Sequence, residues 1–457
     1  MSTVLRAHES WEGDAVGVLG LGRSGRGAVA LLRRHGARVV AFDDRTDLPS
    51  DVVADLAEWD VEIRTGRDDV SGAVSAFDAL VVSPGVPGDH PLVRAAESVG
   101  RPVIGELELA ARRARGRILA VTGTNGKSTT VSLVQAMLER AGRESVLVGN
   151  IGTAVSDHVE RVGEGGWLVI ECSSFQLERI DVFAPAAAAI LNLAPDHLDR
   201  YDSFEAYGEA KRNILSRAGR YVFPQDDARL AGWAATADAT AFPFAAAYST
   251  DATAWVEDAT IRRRYAGRVE EILPVDAIPL VGRHNVSNVL AAVALVDVCG
   301  IDAKDIAVAV RDFEGLPHRA VTVASKDGLT WIDDSKATNV HAAAATLAGL
   351  NGPVVALFGG RGKGEDYSAL AGFGDRMRAA VCFGEEGPAI ARALDGAVPC
   401  ETVTGMLDAA ARAAAIARDG DVVLLSPACA SFDEFRGFAA RGEVFQRWVT
   451  DHRGSVR

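Results

Sequence analysis

Three successive α/β domains, each carried by a mostly parallel sheet, are what this sequence predicts. Short apolar runs alternate with longer helical patterns from end to end, the arrangement expected where crossover helices join parallel strands. The runs fall into three series: AVGVLGLG, ARVVAF, ALVVSPG and PVIG; then RILAVTG, SVLVGN, WLVIE and AAAAILNL; then LTWIDD, PVVALFGG, AAVCFG and DVVLLSPA. A chain of 457 residues also exceeds one ordinary core, at roughly 150 residues per domain. The domains are placed at residues 1–105, 106–315 and 316–457. IGELELAARRARGR is expected as a helix between the first two, and FEGLPHR as the joint before the third. Residues 225–280 read as irregular, with short polar strands such as AWVEDATIRR, and as an excursion at the edge of the second domain.

Hydrophobic residues make up 48% of the chain and charged residues 24%, a globular balance. Charged residues interrupt the first stretch, so neither a signal peptide nor a membrane span is expected. The five cysteines form no C-x-x-C pair, which points to a reduced, cytoplasmic setting without a zinc framework. A net charge of -14 argues against a nucleic-acid partner, which calls for cationic surface. Only six of the 48 basic residues are lysines. Lysine, unlike arginine, can become a neutral nucleophile, so lysines in so arginine-rich a chain are functional candidates. Lys304 and Lys326 lie outside any motif and read as surface charges.

The first strand ends in Gly20-Leu-Gly22-Arg-Ser-Gly25, a G-x-G-x-x-G turn, with Asp43 and Asp44 about twenty residues on. The N-terminal domain is therefore read as Rossmann-like, its glycines letting a diphosphate approach a helix N-terminus and the acid receiving a ribose hydroxyl. SPGVPGDHP, from Ser83, ends another strand of the same sheet and faces the same crevice.

In the second series VTGTNGKSTT follows a strand and opens a helix. It lacks the first glycine of the common phosphate loop, G-x-x-x-x-G-K-[ST], because Val121 stands there. The strand, turn and helix context is nevertheless that of a phosphate cradle. Gly123, Thr124, Asn125, Gly126 and Thr129 present backbone N–H groups, Lys127 reaches the terminal phosphates, and the Ser128 hydroxyl can meet Mg²⁺. Glu171 ends the WLVIE strand, and Asn192, Asp196, His197 and Asp199 follow the next. In SFEAYGEAKRNIL, Phe204, Tyr207, Ile214 and Leu215 share a face, which points Lys211 inward. A buried lysine needs a partner or loses its proton, and a neutral amine can take up CO₂ as a carbamate. Asn285 and Asn288 open a mostly apolar helix, where they suit a nucleotide base, an interdomain contact or a cap. In the third, also Rossmann-like, domain, DDSKATN brings Asp334, Lys336, Thr338 and Asn339 to a strand end. GGRGKGED adds Lys363, and SPACASFDEFRGFAARG adds Ser426, Ser431 and Phe438, together a suitable carboxylate pocket.

With these residues in view, the chain resembles the Mur ligase family, the ATP-dependent amino-acid ligases of peptidoglycan synthesis. TGTNGKST matches that family's shortened phosphate loop, and GNIG, ECSSFQLE, DHLDRY, LPHR, DDSKATN and SPACASFDEFRGF match its D-glutamate-adding branch, over about residues 15 to 445. No D-[ND]-P-R segment, the mark of relatives that add diaminopimelate or lysine, is present. The resemblance implies that Lys127 and Ser128 hold ATP phosphates and one Mg²⁺, and that Glu171, His197 and a carbamylated Lys211 organise a second metal. It implies an ATP clamp of Asn285, Asn288, Arg319, Asp334 and Lys336, and a D-glutamate pocket of Thr338, Lys363, Ser431 and Phe438. It further implies that Asn150 meets the sugar nucleotide, UDP-N-acetylmuramoyl-L-alanine, and that Ser24, Arg45, Ser83 and Gly85 meet its uridine diphosphate. Arg23 and Arg26, flanking Ser24, depart from the pattern.

The expected chemistry is attack of a substrate carboxylate on the γ-phosphate of ATP, giving an acyl phosphate that an amine displaces, with His197 or Asp334 as base. Because the substrates lie on separate domains, an open form is expected before ATP and ligand arrive, in a chain expected to be a monomer. An NAD-linked oxidoreductase using the Gly20–Gly25 turn leaves the second loop unexplained. A nucleotide-regulated binding protein without ligase chemistry is the other rival.

Overall fold

The structure, a computed structural model, describes residues 4–66, 70–280, 282–326, 328–350 and 352–453. Its sheets follow the three series. The first holds β1 (Ala15–Leu19), β2 (Arg38–Asp43), β3 (Glu62–Thr65), β4 (Ala79–Val82) and β5 (Val103–Gly105), all parallel, in the order β3-β2-β1-β4-β5. The order reverses at β1, so a crevice opens at the carboxyl ends of β1 and β4, where such sheets take ligands.

The second sheet comprises β6 (Arg117–Thr122), β7 (Ser145–Gly149), β8 (Trp167–Glu171), β9 (Ala187–Ile190), β10 (Arg220–Pro224), β11 (Thr240–Ala245), β12 (Ala254–Glu257), β13 (Thr260–Tyr265) and β14 (Arg268–Pro274). They run in the order β14-β13-β12-β11-β10-β9-β6-β8-β7. The core strands are apolar on both faces, as β8 (WLVIE) and β9 (AAAI) show, because helices cover both sides. Residues 225–280 are more regular than the sequence suggested. They extend the sheet through β11 and β12 and finish it with the antiparallel strands β13 and β14, whose polar outward faces disguise the period. The expected helix over 104–117 is likewise shorter, running Glu106–Ala111 between β5 and β6.

The third sheet holds β15 (Val321–Lys326), β16 (Leu329–Asp333), β17 (Val354–Gly359), β18 (Met377–Phe383), β19 (Cys400–Thr402) and β20 (Val422–Leu425), in the order β15-β16-β20-β17-β18-β19. Only the β15–β16 pair is antiparallel. Among the described residues no helix is long and apolar enough to cross a membrane.

The domains are joined unequally. One apolar cluster runs from Val16, Val29 and Val39 through Leu107 and Leu109 to Ile118, Leu168 and Ile190, so the first two sheets share a core through the helix Glu106–Ala111. The buried Glu108 carboxylate accepts from the Asp181, Val182 and Phe183 amides at 2.8, 2.9 and 3.2 Å, and Glu106 accepts from Ser156 N at 2.7 Å. The third domain has apolar clusters of its own, around Phe358 and Leu424 on one face of its sheet and Leu357 and Trp331 on the other.

Arg441, on the helix Phe438–Arg453, is fully buried and ties three strand-end loops together. It donates to Ser335 Oγ and O at 3.0 and 2.9 Å, to Gly359 O at 3.4 Å, and to Cys429 O and Ala430 O at 3.0 and 3.3 Å. Burial lowers its pKa to about 10, with nearby acidic groups opposing the shift. Nothing in the sequence singled it out from 42 arginines, although it stands inside the SPACASFDEFRGFAARG stretch. Arg441→Met leaves these carbonyls without their donor and is expected to cost about 3 kcal/mol, read as a lower urea midpoint.

Candidate functional site

The phosphate loop is shaped by its glycines. Gly126 caps the helix Lys127–Arg140 at φ +86, and a Cβ there would lie 2.3 Å from Asn288 Oδ1, so the loop and the helix His284–Leu295 meet through an absent side chain. Thr124 Oγ1 is held by Ala194 N, Ala194 O and Tyr207 OH, and Asn192 brackets Asn125 through N and O at 2.9 and 3.0 Å. The loop is thereby rigid before any phosphate is bound.

Two lysines converge on it. Lys127 Nζ donates to Gly123 O and Thr124 O at 2.9 and 2.8 Å. Lys211 Nζ donates to the same Gly123 O at 3.0 Å and lies 4.6 Å from the Tyr207 ring centroid. Lys211 is 2% exposed, packed beside Tyr207 and Ile214 as the helical spacing predicts, although Phe204 is only half-buried. Desolvation, reinforced by the Lys127 charge, pushes its pKa well below the ordinary lysine value. Desolvation lowers Lys127 as well, against the attraction of Glu171 and Asp196.

Glu171, at the end of β8, accepts from Asn150 Nδ2 at 2.7 Å through Oε1, while its buried Oε2 has no partner among the described residues. The acid is therefore not a helix cap. His197 takes a left-handed backbone at φ +56, packs edge-on to Phe175 at 4.9 Å and has its pKa lowered by burial, despite Asp196 nearby. Among the described residues no three His, Cys, Asp or Glu side chains form a metal cluster. The Ser128 hydroxyl and the Glu171 oxygen left without a partner among the described residues are oxygen donors of the kind Mg²⁺ takes alongside phosphate oxygens, and His197 adds a ring nitrogen.

A cavity of about 420 Å³ opens beside the loop, lined by Asn125, Gly126, Thr129, Asn285, Asn288, Arg319 and Asp334. Asn288 Nδ2 donates to Asn285 Oδ1 at 2.9 Å, so both amides are oriented inside the helix rather than serving as caps. Arg319 Nη2 reaches Ser128 Oγ at 3.2 Å. Its placement rests on the preceding His318, at φ +61, whose Nδ1 lies 2.6 Å from the buried Asp333. Asp334 accepts from Thr346 and Ser426 hydroxyls through Oδ2 at 2.7 and 2.8 Å, and from Ala320 N through Oδ1 at 3.2 Å.

The third domain reaches the loop directly. Lys363 Nζ is 3.1 Å from Asp196 Oδ1, and Asn339 meets Asn125. Lys336 lies 4.6 Å over the Phe438 ring, its pKa lowered to about 8 by burial and by Arg319. Ser335 Oγ donates to Phe438 O, and Ser431 is buried nearby on the loop after β20. Thr338 follows Lys336 on the same half-buried turn.

The remaining residues line a second cleft of about 620 Å³ between the first and second sheets, with Ser24, Arg45, Ser83, Gly85 and Asn150 on its walls. Asp43 is not available to a ribose, contrary to the reading of the G-x-G-x-x-G turn. Its carboxylate takes Arg45 Nε and Nη2 at 2.8 and 2.9 Å and Leu21 N at 2.8 Å. Burial alone would raise its pKa, but these donors override it and hold the group down at about 2. The NAD-linked alternative loses one of its two candidate ribose acceptors; the other, Asp44, lines the cleft with its Oδ1 2.9 Å from His90 Nε2.

Asp334 carries a pH signature. Burial pushes its pKa from 3.8 to about 6, against the pull of Thr346, Ser426 and Arg319. The folded value lies above the unfolded one, so folding takes up a proton in between and stability falls as pH rises from about 4 to about 6. The expected loss is about 3 kcal/mol across that window, present in the wild type and absent in Asp334→Asn, read from urea unfolding at each pH.

Comparison with known proteins places these features in a family. Three family models match in order: the Mur ligase MurD-like N-terminal domain at residues 14–105, the Mur ligase middle domain at 121–296, and the Mur ligase glutamate ligase domain at 318–429. UDP-N-acetylmuramoylalanine--D-glutamate ligase of Acidobacterium capsulatum is 42% identical over 97% of this chain and 98% of its own. The Myxococcus xanthus protein of the same name is 38% identical over 96% and 98%. Among solved structures, a pseudomurein peptide ligase type C from Methanothermus fervidus aligns with TM-score 0.61 at 16% identity, covering 95% of this chain and all of that one. UDP-N-acetylmuramate-alanine ligase from Thermotoga maritima aligns with TM-score 0.59 at 19% identity, over 96% and 100%. Those two likenesses bear on the fold, whereas the ordered domain matches and the near-full-length relatives show that the chain belongs to the Mur ligase family.

Proposed function

We propose that this chain uses ATP to join D-glutamate to UDP-N-acetylmuramoyl-L-alanine through an acyl phosphate. One observation carries the reading: Lys127, Lys211, Arg319, Lys336 and Lys363, drawn from the second and third domains, gather around Glu171 and Asp196 at the open ends of two sheets. So much desolvated positive charge suits a reaction in which phosphates and two carboxylates must approach one another. The names of the relatives support the same choice of substrates.

In this assignment Gly123 to Thr129, with Asn285, Asn288, Arg319, Asp334 and Lys336, hold ATP. Ser24, Arg45, Ser83, Gly85 and Asn150 hold the sugar nucleotide, and Thr338, Lys363, Ser431 and Phe438 hold D-glutamate. Ser128 would hold one Mg²⁺, and Glu171, His197 and a modified Lys211 a second; the ions would supply charge against the phosphates and the reacting carboxylate. The unpartnered Glu171 oxygen fits that duty.

The substrate carboxylate attacks the γ-phosphorus in line, the bond to the ADP oxygen breaks, and loop N–H groups with Lys127 take up the growing charge. The D-glutamate amine then attacks the acyl carbon, phosphate departs, and the amine proton passes to a base. Asp334 is the stronger candidate, because its raised pKa gives it basicity near neutrality and His197 serves the metal. Every group invoked belongs to one chain, so the reaction asks for no second copy, and its use of ATP suits the cytoplasm.

Lys211 is assigned as a carbamate. Its neutral amine adds to CO₂, forming an N–C bond and releasing a proton. As a cation Lys211 would repel Lys127 across the Gly123 carbonyl they share, whereas a carbamate would attract it.

Phosphate release from ATP and Mg²⁺ is expected to require both UDP-N-acetylmuramoyl-L-alanine and D-glutamate, and release with neither, or equally with other amino acids, would sink the reading. Lys211→Ala is expected to lose about two to three orders of magnitude in kcat and to recover part of it with a short carboxylate such as acetate. Full turnover in Lys211→Arg would rule the carbamate out.

A further inference from the structure

At the start of the helix Val340–Gly349 the hydrogen bonds fix the position of a proton. Asn339, the N-cap, accepts from Ala342 N through Oδ1 at 2.8 Å, and its Nδ2 points to Asp196 Oδ2 at 3.4 Å. A backbone N–H only donates, so the Asn339 amide has a single orientation. The Asn339 Nδ2 then also meets Asn125 Oδ1 at 3.2 Å, and its Oδ1 meets Asn125 Nδ2 at 3.3 Å.

That orientation passes to the next amide. Asn125 Nδ2 is the atom that lies 2.9 Å from His341 Nδ1. Since an amide nitrogen only donates, Nδ1 accepts, and the neutral ring carries its proton on Nε2. Desolvation lowers the His341 pKa, which favours the neutral ring. His341 lines the cavity beside Asn125, Asn288, Arg319 and Asp334, at a position no motif singled out.

We propose that His341 is a nucleotide-binding residue: Nε2–H donates to ATP in this cavity while Nδ1 holds the phosphate-loop Asn125, so one ring joins nucleotide, loop and third domain. The inference rests on the cavity being the ATP site. His341 adds direction rather than charge, since Lys127 and Arg319 already supply the latter.

Calorimetry with the non-hydrolysable analogue AMP-PNP tests it in the full chain. His341→Ala is expected to bind roughly three- to tenfold more weakly than wild type, the worth of one neutral hydrogen bond. His341→Gln, which can accept with Oε1 and donate with Nε2, is expected to regain most of the loss. In the wild type, ¹⁵N chemical shifts are expected to report a protonated Nε2 and a bare Nδ1. Equal affinity in wild type and His341→Ala, or a ring protonated on Nδ1, overturns the proposal. A wild type that binds no AMP-PNP overturns the reading of the cavity and this inference with it, whereas a wild type that binds it leaves the variants to decide His341 alone.

Discussion

Two lysines donating to one carbonyl oxygen, Gly123 O, is the constraint around which this molecule is organised. Like charges brought that close out of water are costly, and the cost falls on their proton affinities. Both pKa values are lowered by desolvation, and Glu171 and Asp196 offset only part of it. Such a site is poised for anions. Its rigidity comes from neutral contacts, with Thr124 locked by Ala194 and Tyr207 and Asn125 bracketed by Asn192, so no acidic side chain has to neutralise the lysines.

The joints between domains follow from where charge and apolar surface lie. The first two sheets share a continuous core and are pinned by the buried Glu106 and Glu108, so the cleft between them has fixed walls. The third domain has its own core and touches the phosphate loop through polar contacts: Lys363 on Asp196, Asn339 on Asn125, and Arg319 on Ser128. Polar contacts between separately packed bodies cost little to break, whereas separating a shared core exposes apolar surface. The architecture therefore suits a third domain that swings while the other two stay together.

Within the third domain the burden of order falls on Arg441. A guanidinium offers five donors in a fixed fork, and here they are spent on the Ser335 hydroxyl and on carbonyls from the loops after β16, β17 and β20. Those are the loops that present Lys336, Lys363 and Ser431. Asp333, His318 and Gln446 do similar work on the other side of the turn that carries Arg319.

What the sequence by itself determined were the features with local cause. Strand runs bounded by glycine, the short phosphate loop opening a helix, and the inward face of SFEAYGEAKRNIL that carries Lys211 each depend on residues within one or two turns of each other. AWVEDATIRR was legible as short polar strands, but the last edge strand, β14, was missed because alternation is faint where one side is solvated and charged. Tertiary structure alone decided matters set by partners distant in the chain. Asp43, read with Asp44 as a ribose acceptor, is consumed by Arg45 and Leu21 N, while one Glu171 oxygen has no partner among the described residues. The His341 proton is set through Asn339 and through Asn125, which lies 216 residues from it along the chain. Hydrogen-bond direction and desolvation depend on what surrounds a group in space, and no spacing along the chain encodes that.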